Sequence, residues 1–210
     1  KRWLEAGIWD KIMESLRHSA YHKGKFSIDT VCIDSSFIET KKGVKIHASI
    51  SCDGFPLKII ISPGNEYDSK VFIQVMELIK INTTSKPRTR SFEVLADSAY
   101  DNTAIRQYLR SRAIKSSIPI NTRNSKRRKK GRPTRFDPDS YSKRGNIERF
   151  FAWLKMGFRK LASRYERLNV VFKGLLDIAF SFYAGKRYKG SFETSSINVI
   201  FITVLYSLYS

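Results

Sequence analysis

Tyr141-Ser142-Lys143-Arg144-Gly145-Asn146-Ile147-Glu148-Arg149-Phe150-Phe151-Ala152-Trp153-Leu154-Lys155 is the stretch on which the reading of this chain turns. Wound as an α-helix at about 100° per residue, it places Arg144, Glu148 and Lys155 at about 300°, 340° and 320° from Tyr141, so four chemically active side chains share one narrow stripe. Ile147, Phe150, Leu154 and Leu161 gather on a broader face near about 220°, wide enough to bury against a sheet. The helical pattern runs from Ser140 to about Ala162, and a second helix is expected over Asn169 to Ala184. Phe150, Phe151, Trp153 and Leu154 read as core, not as a base-stacking platform.

The texture N-terminal to this helix is mixed. Trp3-Leu4, Ile8-Trp9, Ile12-Met13 and Leu16 recur at helical spacing, and that helix ends between Ser19 and Lys25. From Ser27 the pattern becomes β. Val31-Cys32-Ile33-Asp34 is a short apolar run, and Val44 to Ser51 alternates with Ile46, Ala48 and Ile50 on one face. Asp53-Gly54 supplies a hairpin turn, and Leu57 to Ile61 returns as a third strand closed by Pro63-Gly64. Asp68-Ser69 resembles a helix N-cap before a helix over Val71 to Ile81. A fourth strand, Phe92 to Ala96, delivers Asp97 at its end. A helix from about Thr103 to Arg112 and a fifth strand at Ser117 to Ile120 follow. This order predicts an α/β fold, a mixed sheet flanked by helices.

Charge narrows the partners. The 210 residues carry 39 Lys and Arg against 19 Asp and Glu, a net +20 that repels itself unless a polyanion neutralises it. Nucleic acid is the expected partner. Eight of the basic residues lie in Arg123 to Arg135, where Gly131 and Pro133 oppose regular structure. Lys126, Arg127, Arg128, Lys129 and Lys130 are therefore read as an exposed loop gripping phosphates, with a bland solvated loop as the alternative. The 41% hydrophobic content is enough for a real core. Three His and two Cys, at no metal-ligand spacing, argue against zinc. Cys32 and Cys52 are expected as buried thiols in strands, and His47 as a structural residue on the polar side of its strand.

The spacing Tyr141, two residues, Arg144, three residues, Glu148, six residues, Lys155 resembles the signature of insertion-sequence DDE transposases of the families numbered four and five. Ile33-Asp34-Ser35 resembles the family's first catalytic Asp at a strand end, and Leu95-Ala96-Asp97-Ser98-Ala99-Tyr100-Asp101 its second. Gly43 to Ser69, with Lys45-Ile46-His47, Asp53-Gly54, Pro56-Leu57 and Pro63-Gly64, is similar to its core. The resemblance covers about Trp3 to Ala184 and implies an RNase H-like fold.

What the resemblance implies is DNA strand cleavage followed by strand transfer. Asp34, Asp97 and Glu148 would hold Mg²⁺ (or Mn²⁺), two ions, because hard cations take a few carboxylate oxygens and keep positions open for phosphate and water. Water attacks first at the transposon end, then the freed 3′ hydroxyl attacks target DNA. Arg144 and Lys155 would hold flanking phosphates, Arg by a fork and Lys as a point charge, with Tyr141 stacking or hydrogen-bonding beside them. A homodimer across paired transposon ends is the implied assembly.

Blander readings stay open beside this. Taken alone, Asp34 reads as a turn residue, Asp97 as a helix cap, and Glu148 as the i, i+4 ion-pair partner of Arg144; it is their coincidence in the right order that favours the catalytic reading. Asp68 and Asp101 read as caps or turn residues. A noncatalytic basic nucleic-acid-binding domain and a purely hydrolytic nuclease of the same fold are the rival functions. The expected organisation is a remnant of an N-terminal helical domain over 1–26, the catalytic domain over 27–184 and an atypical tail over 185–210. An opening without Met or an apolar signal region suggests a cytoplasmic protein and a fragment, whose activity the residues leave open. The apolar run Ile197 to Tyr209 is shorter than the roughly 20 residues of a membrane span, so a strand-like tail and no membrane anchor are expected.

Overall fold

The computed structural model describes residues 5–39, 43–81, 91–121, 136–158, 161 and 169–189. The basic residues Lys126 to Lys130 and the run Ile197 to Tyr209 lie outside them. Helix α1 (Ile8–His22) precedes three strands, β1 (Thr30–Ile38), β2 (Val44–Ser51) and β3 (Pro56–Pro63). Then come α2 (Asp68–Glu77), β4 (Glu93–Leu95), a 3-10 turn (Ser98–Tyr100), α3 (Thr103–Ser111), β5 (Lys115–Ser117), α4 (Pro138–Ser142), α5 (Gly145–Gly157) and α6 (Asn169–Lys189).

The five strands form one sheet in the order β3-β2-β1-β4-β5. β1, β2 and β3 run antiparallel, while β4 joins β1, and β5 joins β4, in parallel. This is the RNase H-like mixed sheet flanked by helices. Consecutive antiparallel strands need only tight turns: at Asp53-Gly54, Gly54 takes φ 82 and its N–H donates to the Ser51 carbonyl at 2.9 Å. The parallel strands β4 and β5 are reached through helices, as parallel crossovers require.

The core is built from the residues that the patterns marked. Ile147, Phe150 and Leu154 of α5 are buried, as is Leu161 beyond it, and α5 packs on β1 and β2. Phe150 meets Phe180 and Tyr183 of α6 edge-on, with ring centres 5.9 and 5.0 Å away. Each such side chain removed from water contributes about 1.5–3 kcal/mol. Trp9, Ile12, Met13, Leu16 and Ala20 of α1 are buried in the same core, and α1 packs along α6. No helix among the described residues is long and apolar enough to cross a membrane.

Several boundaries differ from expectation for local reasons. α3 stops at Ser111, and Ala113 turns the chain at φ 51 with the Ile114 N–H returning to the Leu109 carbonyl, so β5 starts at Lys115 instead of Ser117. α2 starts at Asp68, with Tyr67 in the N-cap position. α6 continues past Ala184 to Lys189. His47 does not sit on a polar face: β2 is covered on both sides, and the ring is 1% exposed with Nε2 2.8 Å from Ser62 Oγ. Burial depresses its pKa to about 4, against the nearby Asp68 carboxylate. Of the two thiols, Cys32 is buried in β1 and Cys52 is half-buried just beyond β2.

Candidate active site

β1 outlasts its parallel neighbour. β4 pairs only Glu93 to Leu95 with Thr30 to Cys32, so β1 continues from Ile33 with that edge open. Val31, Cys32 and Ile33 are buried, while Asp34, Ser35 and Ser36 become partly accessible. Asp34 therefore lies in mid-strand, not at the strand end that the sequence suggested, and the gap left by β4 exposes it. Thr30 is level with Glu93, and Asp34 and Asp97 each lie four residues further on. The same parallel register thus carries both acids toward one end of the sheet.

Asp97 follows β4 in extended backbone and accepts from the Ala99 N–H at 2.9 Å, capping the 3-10 turn. Asp34 Oδ1 accepts from the Ser35 N–H at 2.8 Å. Arg144 stands over the strand-borne acid, with Nη1 3.5 Å from Asp34 Oδ2 and 2.7 Å from Glu148 Oε1. Glu148 is 63% exposed, whereas Asp34 and Arg144 are 16% and 14% exposed. Burial pushes the Asp34 carboxyl up to about 6; the Ser35 N–H and Arg144 oppose the rise, and the Asp97 and Glu148 charges add to it. All three acids share one electrostatic neighbourhood. Among the described residues, however, no three His, Cys, Asp or Glu side chains stand as a ready-made metal cage.

The helix carrying Arg144 and Glu148 is not continuous with Tyr141. Asp137 caps a short α4 by accepting from the Ser140 N–H at 3.2 Å, with Pro138 in the first turn. The chain then tightens: the N–H groups of Lys143, Arg144, Asn146 and Ile147 each bond three residues back, and α5 begins at Gly145. A three-residue turn eclipses positions i and i+3, which a uniform 100° winding does not. Tyr141 accordingly lies under Arg144, whose Cζ is 5.9 Å from the ring centre, and Phe136 packs 5.1 Å from Tyr141. Burial raises the Tyr141 pKa, with Arg144 opposing, so its hydroxyl stays a donor. Asn146 anchors the junction by donating to the Cys52 carbonyl at 2.6 Å.

Lys155 is held elsewhere. Two turns beyond Glu148, about 10 Å along the helix axis, its Nζ bonds the Phe37 carbonyl at 3.4 Å near the far end of β1. The structure thus brings Asp34, Arg144, Glu148 and Tyr141 together, leaves Asp97 within electrostatic reach of Asp34 and Arg144, and keeps Lys155 apart from them.

Sequence reasoning passed over Glu93. Its carboxylate accepts from the hydroxyls of Ser117 and Ser140, the latter at 2.7 Å, and pairs with Lys115 Nζ at 2.9 Å. Lys115 also reaches Asp137 at 3.1 Å. Burial works against ionisation of Glu93, but these three donors outweigh it and hold the carboxyl below its usual range. The residue at the base of the Asp97 strand therefore clamps the residue beside Tyr141. A Glu opening a three-residue strand carries no signal of that bond.

The rival acids have other duties. The Asp101 side chain is fully buried, accepting from Arg106 Nε at 2.6 Å and from the Asn121 N–H at 2.9 Å. The cap of α3 is Asn102. Asp68 lies 3.1 Å from Lys45 Nζ and 3.9 Å from His47 Nδ1.

The family described as "Transposase DDE domain" matches residues 25–182. The Brucella ovis protein "Putative transposase for insertion sequence element IS6501" is 31% identical over 137 residues, covering 64% of this chain and 92% of its own length. Among solved structures, a chain of the simian T-cell lymphotropic virus intasome in complex with PP2A regulatory subunit B56 gamma overlaps 78% of this chain at 16% identity and a TM-score of 0.45; this chain spans about half, 49%, of it. The catalytic core domain of BIV integrase overlaps 88% of this chain and 100% of its own at 12% identity and a TM-score of 0.41.

Proposed function

Because this chain belongs to the transposase DDE-domain family, we propose that it cleaves and rejoins DNA strands of an insertion sequence, with Asp34, Asp97 and Glu148 as its metal-binding carboxylates. The observation that carries this reading is the shared β1–β4 register, which sends Asp34 and Asp97 to one end of the sheet where Arg144 ties Asp34 to Glu148.

The donor set fits a hard divalent cation. The candidates are all carboxylates, while burial pushes the Cys32 thiol up to about 12, which leaves it protonated, with Sγ directed at the Lys143 carbonyl, and His47 is engaged with Ser62. Oxygen donors without thiolate or imidazole favour Mg²⁺ or Mn²⁺ over zinc. Two such ions, when bound, would polarise the phosphodiester and lower the pKa of the attacking oxygen. The chain's own residues do the rest. Asp34 and Asp97 supply fixed negative charge at the sheet end, and Glu148 closes the set from an exposed helix position. Arg144 forks onto a phosphate oxygen pair, Tyr141 donates a hydroxyl beside it, and Lys155 holds a second phosphate along the strand. Lys126, Arg127, Arg128, Lys129 and Lys130 add backbone contacts, and a homodimer across paired ends completes the assembly.

Cleavage of transposon-end DNA with Mg²⁺ by the wild type and by Asp97→Ala tests the reading. Loss of cutting in the variant and in the presence of EDTA is expected; a variant that cuts as well as the wild type removes Asp97 from the site. Strand-transfer products from a precut end and a target duplex separate a transposase from a nuclease that only hydrolyses.

A further inference from the structure

Arg144 is itself the cation of the carboxylate centre. Nη1 sits between Asp34 and Glu148, at 3.5 and 2.7 Å, and the side chain is only 14% exposed. Its Nε is buried and has no hydrogen-bond partner among the described residues. The guanidinium therefore makes its acid contacts through one terminal nitrogen and leaves unused the Nε donor that belongs to its forked edge, the edge that matches a phosphate bidentately. The same contacts occupy carboxylate oxygens that a divalent ion would need, in a region where no metal-ready cluster stands among the described residues. A guanidinium and a divalent ion repel each other, so both cannot sit against Asp34 and Glu148 at full strength.

Resting on the function proposed above, we infer that Arg144 is a placeholder cation: in the metal-free protein it neutralises Asp34 and Glu148, and a DNA phosphate, by drawing the guanidinium onto its own oxygens, frees both acids for Mg²⁺ or Mn²⁺. DNA and metal then bind cooperatively. Reciprocity requires that each tighten the other by the same factor, so metal is admitted chiefly where a phosphodiester is already present. Glu148, at 63% exposure, has room to move once released. Tyr141, with its ring centre 5.9 Å from Arg144 Cζ, offers a face along which the guanidinium can shift.

The test needs no turnover. Free Mn²⁺ is followed by electron paramagnetic resonance during titration of the intact protein, with and without a short DNA duplex of arbitrary sequence, and the duplex alone serves as blank. The wild type should bind Mn²⁺ about tenfold more tightly with duplex than without. Arg144→Gln and Arg144→Met should bind it about tenfold more tightly than the wild type without duplex, and the duplex should then add less than about twofold. Unchanged or weaker Mn²⁺ binding by folded Arg144 variants overturns the inference. Should neither variant fold, by circular dichroism, the wild-type titrations decide, and equal affinities with and without duplex overturn it. Asp34→Asn separates this result from the reading beneath it. If that variant loses Mn²⁺ binding while the Arg144 outcome is negative, the metal site stands and only the placeholder falls. If Asp34→Asn binds Mn²⁺ as the wild type does, the metal site and the placeholder both fall.

Discussion

Two aspartate–arginine pairs lie at the same end of this sheet and differ in every respect that decides their use. Asp101 and Arg106 meet at 2.6 Å, the Asp101 side chain is fully buried, and the remaining groups are engaged: Asp101 accepts from the Asn121 N–H, and Arg106 donates to the Ile118 carbonyl at 3.0 Å. Asp34 and Arg144 stand 3.5 Å apart, Arg144 shares itself with a mostly exposed Glu148, and its Nε has no partner among the described residues. A satisfied buried pair is a staple, since disturbing it leaves a naked charge. An unsatisfied pair costs little to rearrange and is available for exchange with a ligand.

Substitutions should separate the two pairs cleanly. The largest effect is expected from Asp97→Asn, which should lower DNA cleavage by roughly a thousandfold, consistent with several kcal/mol of charge stabilisation, without moving the thermal melt. Asp101→Ala should behave oppositely, costing about 3–5 kcal/mol of stability by denaturant titration because it strands the Arg106 charge. If Asp101→Ala melts like the wild type, the staple reading of that pair is wrong.

Next in size is Glu93→Ala. Removing the clamp on Ser140 should lower cleavage about tenfold, equal to about 1.4 kcal/mol, with Glu93→Gln recovering part of it because an amide still accepts from one serine. An unchanged rate would mean that α5 alone positions Tyr141 and Arg144.

The pH response of Asp34 is smaller and has a definite sign. Its folded pKa of about 6 lies above the ordinary 3.8, so the folded protein holds the extra proton in that interval. Its contribution to stability is therefore fully present below about pH 4 and is lost as pH rises through about 6, an effect of about 2–3 kcal/mol. Chemical denaturation in EDTA across pH 4 to 7 should show a shallower loss for Asp34→Asn than for the wild type. A parallel pair of curves would place Asp34 in a more solvated setting than its 16% exposure suggests. The smallest effect belongs to Lys155→Ala, which should lower the slope of log affinity for DNA against log salt by about one while leaving Asp34 and Asp97 intact.

Much of this architecture was legible in the residues because it is local. The alternation over Val44 to Ser51, the Asp53-Gly54 turn, the apolar face of Ile147, Phe150, Leu154 and Leu161, and an acid following the fourth strand all depend on neighbours within a few positions. The misjudged features depend on distant ones. His47 reads as polar-side until the sheet is covered on both faces. Tyr141 reads as one stripe with Glu148 until the chain tightens ahead of Gly145, a change made where Asn146 bonds Cys52 across the fold. Glu93 reads as nothing in particular, because Ser140, its partner, lies 47 residues away.

By itself, then, the sequence determined the order of strands and helices, the basic excess, and the Arg, Glu and Lys spacing on one helix, since periodicity and charge are properties of contiguous residues. Only the tertiary structure decided that β1 outruns β4, that a common register brings Asp34 level with the continuation to Asp97, and that Arg144 occupies the space between Asp34 and Glu148. Those outcomes follow from strand pairing and side-chain packing between segments far apart in the chain, where the free energy of one contact depends on all the others being made.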